Sequence, residues 1–391
     1  MKLASKYLVI ILLLLFPLGL LVRLKLSTNV YIVPQDAVIF LLAIIVLMGY
    51  KKKGFFKDKF YTFQLLFLVV GLISLFINAA LHSGINIVVA LLYLLRYLGY
   101  LSLLKVAPYF EKSKRIIPIV YVSSFLFVVF GYLQFIFYND MRKLFYLGWD
   151  EHLYRLFSTL FDPNFAGMCL VVIFFLFLRP GVSRKIEEGY LFIILSFFTA
   201  VAIFITYSRS ALVSLVVGLI TLGILHRKFK FLILFFLAGL ILLLTVSDVS
   251  IEGLNPFRTV STSGRIHSLK EAAYIFSKQP VVGVGFNTFR YAQLRYGMRT
   301  EAGIATSNSD AGTDNSFLFV AATTGIIGLI FFCLGYFSLL RDLFRENVNS
   351  NSYTIAVVIG IIFGSMFLNI LFYTPFLIIF FLYISLRKKL S

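Results

Sequence analysis

The sequence predicts an all-α polytopic membrane protein with about 12 transmembrane helices and one long extracytoplasmic loop that contains an amphipathic helix. Of its 391 residues, 60% are hydrophobic and only 14% are charged, and the mean hydropathy is +0.94. An average soluble protein carries about 25% charged residues. At about 20 apolar residues per crossing, the apolar residues suffice for roughly twelve helices. A soluble globular domain is therefore excluded.

The apolar residues are gathered into separate runs, and each run predicts one transmembrane helix. The sixth and the twelfth runs are short for a full bilayer crossing. The first run lacks a small-residue cleavage site and is followed by many more runs, so it is interpreted as a retained anchor and not as a signal peptide. In chain order the runs are Tyr7–Leu24, Val33–Gly49, Tyr61–Leu81, Ile85–Leu104, Ile116–Tyr138, Phe165–Leu178, Tyr190–Ile205, Ala211–Leu225, Phe229–Val246, Ser316–Leu340, Ile355–Leu371 and Phe376–Leu386.

The positive charge predicts how these helices are oriented. The chain has 36 Lys+Arg and 17 Asp+Glu, a formal net charge of +19. In a soluble protein this excess would indicate a nucleic-acid partner, but in a polytopic membrane protein Lys and Arg concentrate in the cytoplasmic loops. With a cytoplasmic amino terminus, the inner connections hold 22 Lys and Arg and the short outer connections hold 6. We therefore expect both termini in the cytoplasm and no nucleic-acid partner.

One connection is much longer than the others and lies outside in this topology. It divides the chain into transmembrane helices 1–9 (residues 1–246), a long extracytoplasmic loop that carries active-site residues (residues 247–315) and transmembrane helices 10–12 (residues 316–391). Long translocated loops escape the positive-inside bias, so the basic residues of this loop do not contradict the orientation. They indicate an anionic partner. The cysteines Cys169 and Cys333 lie inside apolar runs and predict no disulfide.

Arg96 lies near the middle of the fourth run, and Tyr93, Tyr97 and Tyr100 lie on or close to the same helical face. An arginine at the centre of a membrane helix costs about 2.5–3.5 kcal/mol, so we expect Arg96 to face the interior of the bundle. Two roles stay open: a structural role, in which Arg96 bonds to a carbonyl or a tyrosine hydroxyl, and contact with the substrate.

Two further arginines are expected at the outer face. Asp162, Pro163 and Asn164 predict a helix start, because Pro fixes φ and Asp or Asn can bond the first free N–H groups. Capping does not explain Arg155, which precedes them. Arg209 lies in a very short link between two runs, which holds it at the bilayer surface. It either anchors to lipid headgroups or holds a diphosphate, whose oxygens match the planar guanidinium.

The long loop contains an amphipathic segment. Ile266, Leu269, Ala273 and Phe276 fall on one helical face, which predicts a helix that lies on the membrane surface or packs over the spans. Arg265 is expected at its amino-terminal end, where free N–H groups and the helix dipole favour an anion. The Gly-x-Gly sequence that follows is weak evidence for any function, because no third glycine and no strand–helix unit accompany it.

Asp314 is expected at the outer end of the tenth span. Its carboxylate there is a candidate general base, with capping of the helix as the alternative role. Asp310 and Asp314 lack further oxygen or imidazole ligands nearby, so no metal site is expected. His267 is a second candidate base, although a lone histidine is more often structural.

The order of these features resembles the O-antigen ligase and O-antigen polymerase family of integral membrane glycosyltransferases. The shared elements are Asp-Pro-Asn before a span, Ser-Arg between spans, Gly-Arg and Pro…Gly-x-Gly-x-x-x-Phe in the long loop, and Asn-Ser-aromatic-Leu before Gly-Ile-Ile-Gly. In this chain they are Asp162-Pro163-Asn164, Ser208-Arg209, Gly264-Arg265, Pro280 with Gly283, Gly285 and Phe289, Asn315-Ser316-Phe317-Leu318, and Gly325-Ile326-Ile327-Gly328. The resemblance extends from about Arg155 to Leu329.

The resemblance implies that a bacterial cytoplasmic-membrane enzyme transfers a glycan from an undecaprenyl-diphosphate carrier to an acceptor hydroxyl on the outer face. It implies that Arg209 and Arg265 hold the diphosphate, where guanidinium groups stabilise the charge that the leaving group gains. Because the lipid diphosphate is already an activated donor, no cofactor or metal is expected. A chain-length regulator is a candidate partner. Further candidates for substrate binding are Arg96, Arg155, Asn164 and Asn315.

Ligases of this family have a His-Asn pair where this chain has Asp314-Asn315, and polymerase members are more similar to this chain there. The resemblance therefore favours a polymerase that uses Asp314 as the general base, with Arg209 and Arg265 as its catalytic partners. Nearby positive charge is expected to lower the pKa of Asp314 and to weaken it as a base. A ligase with a different acceptor is the alternative within the family. A transporter or flippase for lipid-linked sugars is the alternative from another class, and it leaves the long outer loop unexplained.

Overall fold

The computed structural model describes residues 2–27, 30–49, 58–110, 116–142, 144, 149–179, 186–227, 260–300 and 312–390. The ninth predicted run, Phe229–Val246, and Asp310 lie outside the described residues. Each of the other eleven runs overlaps a helix. The elements are α1 (Lys2–Leu15), β1 (Leu24–Ser27), β2 (Val30–Ile32), α2 (Pro34–Gly49), α3 (Lys59–Ile77), α4 (Gly84–Leu101), α5 (Ile116–Phe137), α6 (Pro163–Leu178), α7 (Ile186–Ile205), α8 (Arg209–His226), α9 (Val260–Lys278), α10 (Phe289–Arg295), α11 (Ser316–Glu346), α12 (Val348–Gly364) and α13 (Thr374–Leu390).

The apolar helices confirm a helical membrane protein. Five helices among the described residues are long and apolar enough to cross a membrane: Lys59–Ile77, Gly84–Lys105, Ile116–Phe137, Arg209–His226 and Ser316–Glu346. Several others, such as α2, α6 and α12, are equally apolar but have only 10–17 residues. The total of twelve crossings stays a prediction.

The first run was predicted as one helix and is wrong in its second half. The helix α1 ends at Leu15, and the chain then forms a short 3-10 turn and the antiparallel hairpin β1–β2. Pro17, which has no backbone N–H, lies in this turn, and Gly19, with a φ of 53°, ends it. Leu20 N–H then donates to the Thr159 carbonyl at 2.9 Å. A contact with a distant segment thus overrides the local apolar pattern.

The two shortest predicted runs form the centre of the bundle. In α6 the residues from Ala166 to Phe177 are buried, and in α13 those from Phe376 to Leu386 are buried. By contrast, α7 exposes large apolar side chains such as Phe197, as a lipid-facing helix does. Because other helices enclose α6 and α13, their lengths need not match the thickness of the bilayer.

The polar contacts between helices separate into two layers at opposite ends of the bundle. At one end, which we call the basic end, Lys105 Nζ lies 3.2 Å from Asp58 Oδ2, and Arg387 Nη2 lies 3.2 Å from Glu346 Oε1. At the opposite end, Leu156 N–H donates to the Ile205 carbonyl, and Ser316 N–H to the Ser365 carbonyl. Alternate connections therefore meet at the same end, as the charge pattern predicts. The assignment of the basic end to the cytoplasm stays a prediction.

The helix α11 is broken at Gly325, where φ is 67° and ψ is −171°. In a continuous helix the Ile326 N–H would donate to the Ala322 carbonyl. Here it donates instead to the Pro280 carbonyl, at 2.8 Å. A donor freed within an apolar helix costs free energy unless it is bonded again, and the loop supplies the new acceptor.

The same loop also satisfies the carbonyl groups on the other side of the break. Val284 N–H donates to the Ala322 carbonyl and Gly285 N–H to the Thr323 carbonyl, each at 3.0 Å. Ser74 Oγ of α3 donates to the Thr323 carbonyl at 3.0 Å. We call residues 280–285 and 322–326 together the splice. The N–H and carbonyl groups freed at the break in α11 are thus hydrogen-bonded to the backbone of residues 280–285 and do not need another partner.

The splice explains the Gly-x-Gly sequence that sequence analysis treated as weak evidence. Gly283 has φ 70° and Gly285 has φ 111°, a region that disfavours side chains. A Cβ on Gly283 would collide with the backbone of Thr323, and a Cβ on Gly325 would collide with the Val281 carbonyl. The Gly-x-Gly sequence of the loop and Gly325 of α11 therefore allow the same close contact between two backbone segments.

Gly325→Ala is expected to destabilise the protein by about 2–4 kcal/mol more than Gly297→Ala. Gly297 also has a positive φ, 68°, but a Cβ there meets nothing within 4 Å. The control therefore places a Cβ on a residue with a positive φ without the collision. Thermal unfolding of both variants in detergent measures the difference. Equal losses in the two variants would show that the close approach at the splice contributes nothing.

Candidate active site

Asp314 and Arg265 lie side by side at the end of the bundle opposite the basic end. Arg265 Nε lies 3.9 Å from Asp314 Oδ2. The Asp314 backbone N–H donates to Ser268 Oγ at 3.1 Å, and Ser268 Oγ contacts Thr313 Oγ1 at 3.3 Å. Arg265 and Ser268 both belong to α9, so this helix holds Asp314 beside the guanidinium. The structure thus brings together two residues that are 49 positions apart in the chain.

The surroundings raise the pKa of Asp314 above its ordinary value. Burial is the largest cause, and the negative charge of Asp162 adds to it, while Arg265 acts in the opposite direction. The Asp314 side chain is still 43% exposed, so its oxygens are accessible to a substrate although protein surrounds them. The expectation that positive charge would lower this pKa is wrong, because desolvation outweighs the guanidinium. A raised pKa makes Asp314 a stronger base.

Arg265 was expected at the amino-terminal end of its helix, and this is wrong. The helix α9 begins at Val260, so Arg265 lies in the second turn and the free N–H groups lie a turn earlier. The predicted apolar face is also displaced by about one residue. Ile266 is 48% exposed, whereas Ala272 and Ile275 are fully buried against the α10 and α11 side chains. Packing over α11 decides the rotation of α9 and turns Arg265 towards Asp314.

Asp162 caps α6 as predicted, with Oδ1 accepting from Asn164 N–H at 2.7 Å and from Phe165 N–H at 3.4 Å. Burial raises the pKa of Asp162, although these N–H groups and the positive charge of Arg155 oppose the shift. Asp162 and Asp314 are close enough to interact electrostatically. Asp162 therefore connects the Asp314–Arg265 pair with the segment around Arg155.

Arg155 is only 3% exposed, and its guanidinium makes several contacts with the protein. Nε donates to the Thr206 carbonyl at 2.8 Å, Nη2 to Asn164 Oδ1 at 3.4 Å, and Nη1 lies 3.4 Å from His152 Nδ1. These contacts tie the start of α6 to the turn that precedes Arg209. They give Arg155 and Asn164 a role in assembling the site, and direct contact with the substrate stays a prediction for both.

Arg209 is the first residue of α8, and only residues 206–208 separate this helix from α7. Ser208 is the N-cap, and its Oγ accepts from Ala211 N–H at 3.4 Å. The Arg209 side chain is partly exposed. The short link predicted from the sequence is confirmed, while the diphosphate-binding role of Arg209 stays a prediction.

Strained backbone marks this layer of the molecule. Tyr154, Ser158, Phe161 and Tyr207 have φ values of 53°, 50°, 56° and 50°. Such conformations cost on the order of 1–3 kcal/mol for non-glycine residues and persist where the surrounding structure enforces them. They concentrate on the two segments that carry Arg155 and Arg209, which is typical of a functional site. Tyr, Ser and Phe do not favour a positive φ, so these conformations could not be predicted from the sequence.

Asn315, predicted to bind substrate, uses its side chain within the protein. Oδ1 accepts from Phe317 N–H and Leu318 N–H, each at 2.9 Å, and Nδ2 donates to the Met366 carbonyl at 2.9 Å. Asn315 therefore caps α11 and ties it to the connection after α12. A substrate-binding role for it stays a prediction, and the cap explains its place after Asp314.

Arg96 forms an ion pair that sequence analysis did not foresee. Its Nε lies 2.8 Å from Asp36 Oδ1 and its Nη2 lies 2.7 Å from Asp36 Oδ2. Tyr100 Oη donates to Asp36 Oδ1 at 3.0 Å. The exposed side-chain fractions are 17% for Arg96 and 5% for Asp36. The geometry favours the structural role, although the partner is a carboxylate and not a backbone carbonyl. Asp36 lies in the first turn of α2, before a run of apolar residues, and its position along the chain does not indicate a contact with Arg96.

Asp36→Asn is expected to cost about 3–5 kcal/mol of unfolding free energy, because it leaves the charge of Arg96 buried without its partner. The double variant Asp36→Asn/Arg96→Met should recover much of this loss. Asp140→Asn is the matched control, since Asp140 pairs with Arg142, whose side chain is 55% exposed and stays hydrated without its partner. Thermal unfolding in detergent compares the three variants. A loss at Asp36 no larger than that at Asp140 would contradict the structural role.

One polar group near the site was not predicted. Among the described residues, one cluster has metal-ligand spacing: Asp150, His152 and Asp162, whose ligand atoms lie within 4.8 Å of one another. Arg155 contacts His152 there, and its positive charge opposes binding of a cation. Spacing along the chain did not reveal this cluster. His267, the second candidate base, is 74% exposed and lies 3.5 Å from the carboxylate of Glu271, one turn further along the same helix.

The geometry thus places a carboxylate with a raised pKa beside a guanidinium, in a polar layer braced by Arg155. Residues 194–333 match the family model described as O-antigen ligase. This part of the chain is an O-antigen ligase domain. No curated protein matches the chain. The family resemblance predicted from the motifs is confirmed.

The O-antigen ligase domain begins within α7 and ends within α11. It includes Arg209, Arg265 and Asp314, but Arg96 and Arg155 lie before it. It also includes the whole splice, which indicates that the broken helix is part of the domain's architecture. The match supports a glycosyltransferase-type enzyme of the O-antigen ligase and polymerase family, for which a lipid-linked glycan donor and an acceptor are implied, and the apolar helices are consistent with a multi-pass membrane protein.

Proposed function

We propose that this protein is a polymerase of undecaprenyl-diphosphate-linked oligosaccharide repeat units, acting on the outer face of the bacterial cytoplasmic membrane. The observation that carries this proposal is the pairing of Asp314 with Arg265 inside the O-antigen ligase domain, at 3.9 Å. The pair combines a proton acceptor with a cation. In glycosyl transfer from a lipid diphosphate, a proton acceptor assists the attacking hydroxyl and a cation stabilises the charge that the leaving diphosphate gains.

The reaction follows from these two groups. The acceptor hydroxyl oxygen forms a bond to the anomeric carbon of the donor glycan, and the bond between that carbon and the diphosphate oxygen breaks. Asp314 accepts the hydroxyl proton. The electron pair of the broken bond stays on the diphosphate, whose added negative charge the guanidinium groups of Arg265 and Arg209 stabilise. Arg155 supports this layer by fixing the turn before Arg209.

Two features support polymerase activity and the outer location. The residue before Asn315 is Asp314 where ligases of the family have His, and Asn315 is the N-cap of α11, which leaves the Asp314 side chain available for another role. The second feature is the charge pattern. The site lies at the end opposite Lys105, Arg179 and Arg387, and the positive-inside rule assigns that basic end to the cytoplasm.

The test is to incubate the purified protein with a carrier-linked repeat unit and to separate the released glycans by size. A ladder of multiples of the repeat unit is the expected result. The double variant Asp314→Asn/Arg265→Ala measures the background. A single product with an added foreign acceptor, and no ladder, would identify a ligase. No glycosidic bond with either acceptor, together with movement of the lipid-linked sugar across liposomes, would identify a transporter.

A further inference from the structure

Arg23 is stacked between two aromatic rings at the end of the bundle that carries the site. Its guanidinium carbon lies 4.6 Å from the ring centre of Tyr31 and 4.3 Å from that of Trp149. Tyr31 belongs to β2, and Trp149 stacks on Phe161 with ring centres 5.0 Å apart. Two separate segments therefore fix the plane of this guanidinium. We call Arg23, Tyr31 and Trp149 the arginine cage.

The guanidinium in the arginine cage keeps its N–H donors available. Contact with aromatic rings attracts a cation without using its N–H groups, which can still bind oxygen acceptors. Arg96 and Arg142 each have a carboxylate at 2.7 Å. Across the described ranges of the chain, no carboxylate or other hydrogen-bond acceptor contacts the Arg23 guanidinium. A fixed planar fork of free donors is the arrangement that binds phosphate oxygens.

The surroundings of the arginine cage connect it with the active-site layer. Phe161, which supports Trp149, immediately precedes Asp162 in the chain. Arg23 and Asp162 both lie close enough to Tyr373 to interact with it electrostatically. The Tyr373 hydroxyl is buried and has no hydrogen-bond partner in the described part of the protein. The cage therefore borders the interior of the bundle, and an unused hydroxyl lies nearby.

We propose that the arginine cage binds a phosphate group of an anionic lipid, and that its connection to the active-site layer through Trp149 and Phe161, the neighbour of Asp162, assigns this phosphate to the diphosphate of the carrier. The assignment to the carrier rests on the proposed function, whereas the phosphate chemistry does not. Arg23 holds a phosphate oxygen through its N–H groups. A phospholipid headgroup offers the same chemistry, so the experiment distinguishes the two sources.

The single tryptophan of the chain is the probe, because Trp149 lies against Arg23. The full-length protein in detergent is titrated with undecaprenyl diphosphate, with phosphatidylglycerol and with uncharged undecaprenol, and Trp149 emission is recorded. This binding measurement requires neither an acceptor glycan nor glycan transfer. Undecaprenyl diphosphate is expected to change the emission saturably, and Arg23→Gln to weaken its binding about ten- to a hundredfold. Arg142→Gln is the matched control, since Arg142 is exposed and paired with Asp140.

Each outcome decides a part of the proposal. A response to undecaprenyl diphosphate alone supports the carrier. An equal response to phosphatidylglycerol supports a phosphate site but overturns its assignment to the carrier. No response, or an unchanged response in Arg23→Gln, overturns the phosphate site. Arg23→Lys, which keeps the charge but not the planar fork, should bind with intermediate affinity, and its elution from a sizing column shows that the fold persists. If the wild-type protein binds undecaprenyl diphosphate through Arg23 but forms no ladder of repeat-unit multiples, the proposed function is rejected and the phosphate site is retained.

Discussion

Replacing Asp314 by asparagine is expected to lower the turnover number of glycan transfer by about a hundred- to ten-thousandfold, the usual contribution of a positioned general base. Asparagine has nearly the same shape, and the backbone contact of residue 314 with Ser268 does not involve the side chain. The Asp314→Asn variant should therefore fold and insert into the membrane as the wild-type protein does. The rate of ladder formation, measured at saturating donor, gives the turnover number.

Asp140→Asn is the matched control, because Asp140 is a carboxylate in a connection at the same end and pairs with Arg142. It should leave the rate unchanged. The pH dependence provides a second check. A base acts in its deprotonated form, so the rate should rise with pH as Asp314 loses its proton, and its raised pKa places this rise above the range of an ordinary aspartate. Asp162→Asn removes a charge that raises this pKa, so the rise should move to lower pH. An unchanged rate in Asp314→Asn would exclude Asp314 as the base.

Replacing Arg265 by alanine is expected to lower the turnover number about a hundred- to a thousandfold, which is typical of removing one group that stabilises developing charge. The effect should fall mainly on the turnover number and less on the KM, because the diphosphate gains charge as the bond breaks. Arg265→Lys should recover only part of the activity, since lysine keeps the charge but not the planar fork. Steady-state kinetics of ladder formation measures the turnover number and the KM separately.

Lys270→Ala is the control for this prediction, because Lys270 is an exposed cation on the same helix. The pH profile of Arg265→Ala distinguishes a direct role from an indirect one. Arg265 lowers the pKa of Asp314, so its removal should move the rise of the rate to higher pH. A loss of activity that disappears at high pH would mean that Arg265 acts only through Asp314, which contradicts its role at the diphosphate.

Much of the architecture was predictable because it depends on local composition. Apolar runs must be helical in a bilayer, where the backbone has to satisfy its own hydrogen bonds. The capping residues Asp162, Ser208 and Asn315 mark the starts of α6, α8 and α11, since their side chains bond the first N–H groups. The candidate residues Arg209, Arg265 and Asp314 were found from motifs that lie within the O-antigen ligase domain.

Other features could not be predicted, because they depend on contacts between distant segments. Asp36 looks like an isolated acid at the start of an apolar run, and only the packing of α2 against α4 brings it to Arg96. The rotation of α9 is set by burial of Ala272 and Ile275 over α11. The pKa of Asp314 was expected to fall, because sequence shows nearby charge but does not show burial.

The sequence by itself determined the class of protein, the approximate helices and the resemblance of residues 194–333 to the O-antigen ligase family, because hydrophobic runs, caps and ordered motifs are local properties. Tertiary structure alone decided that α11 is broken at Gly325 and closed by the backbone of residues 280–285. It also decided that Arg265 lies beside Asp314 and that Arg23 is held between Tyr31 and Trp149. The physical reason is that hydrogen bonds, desolvation and ring stacking depend on distances in space, which spacing along a chain does not specify.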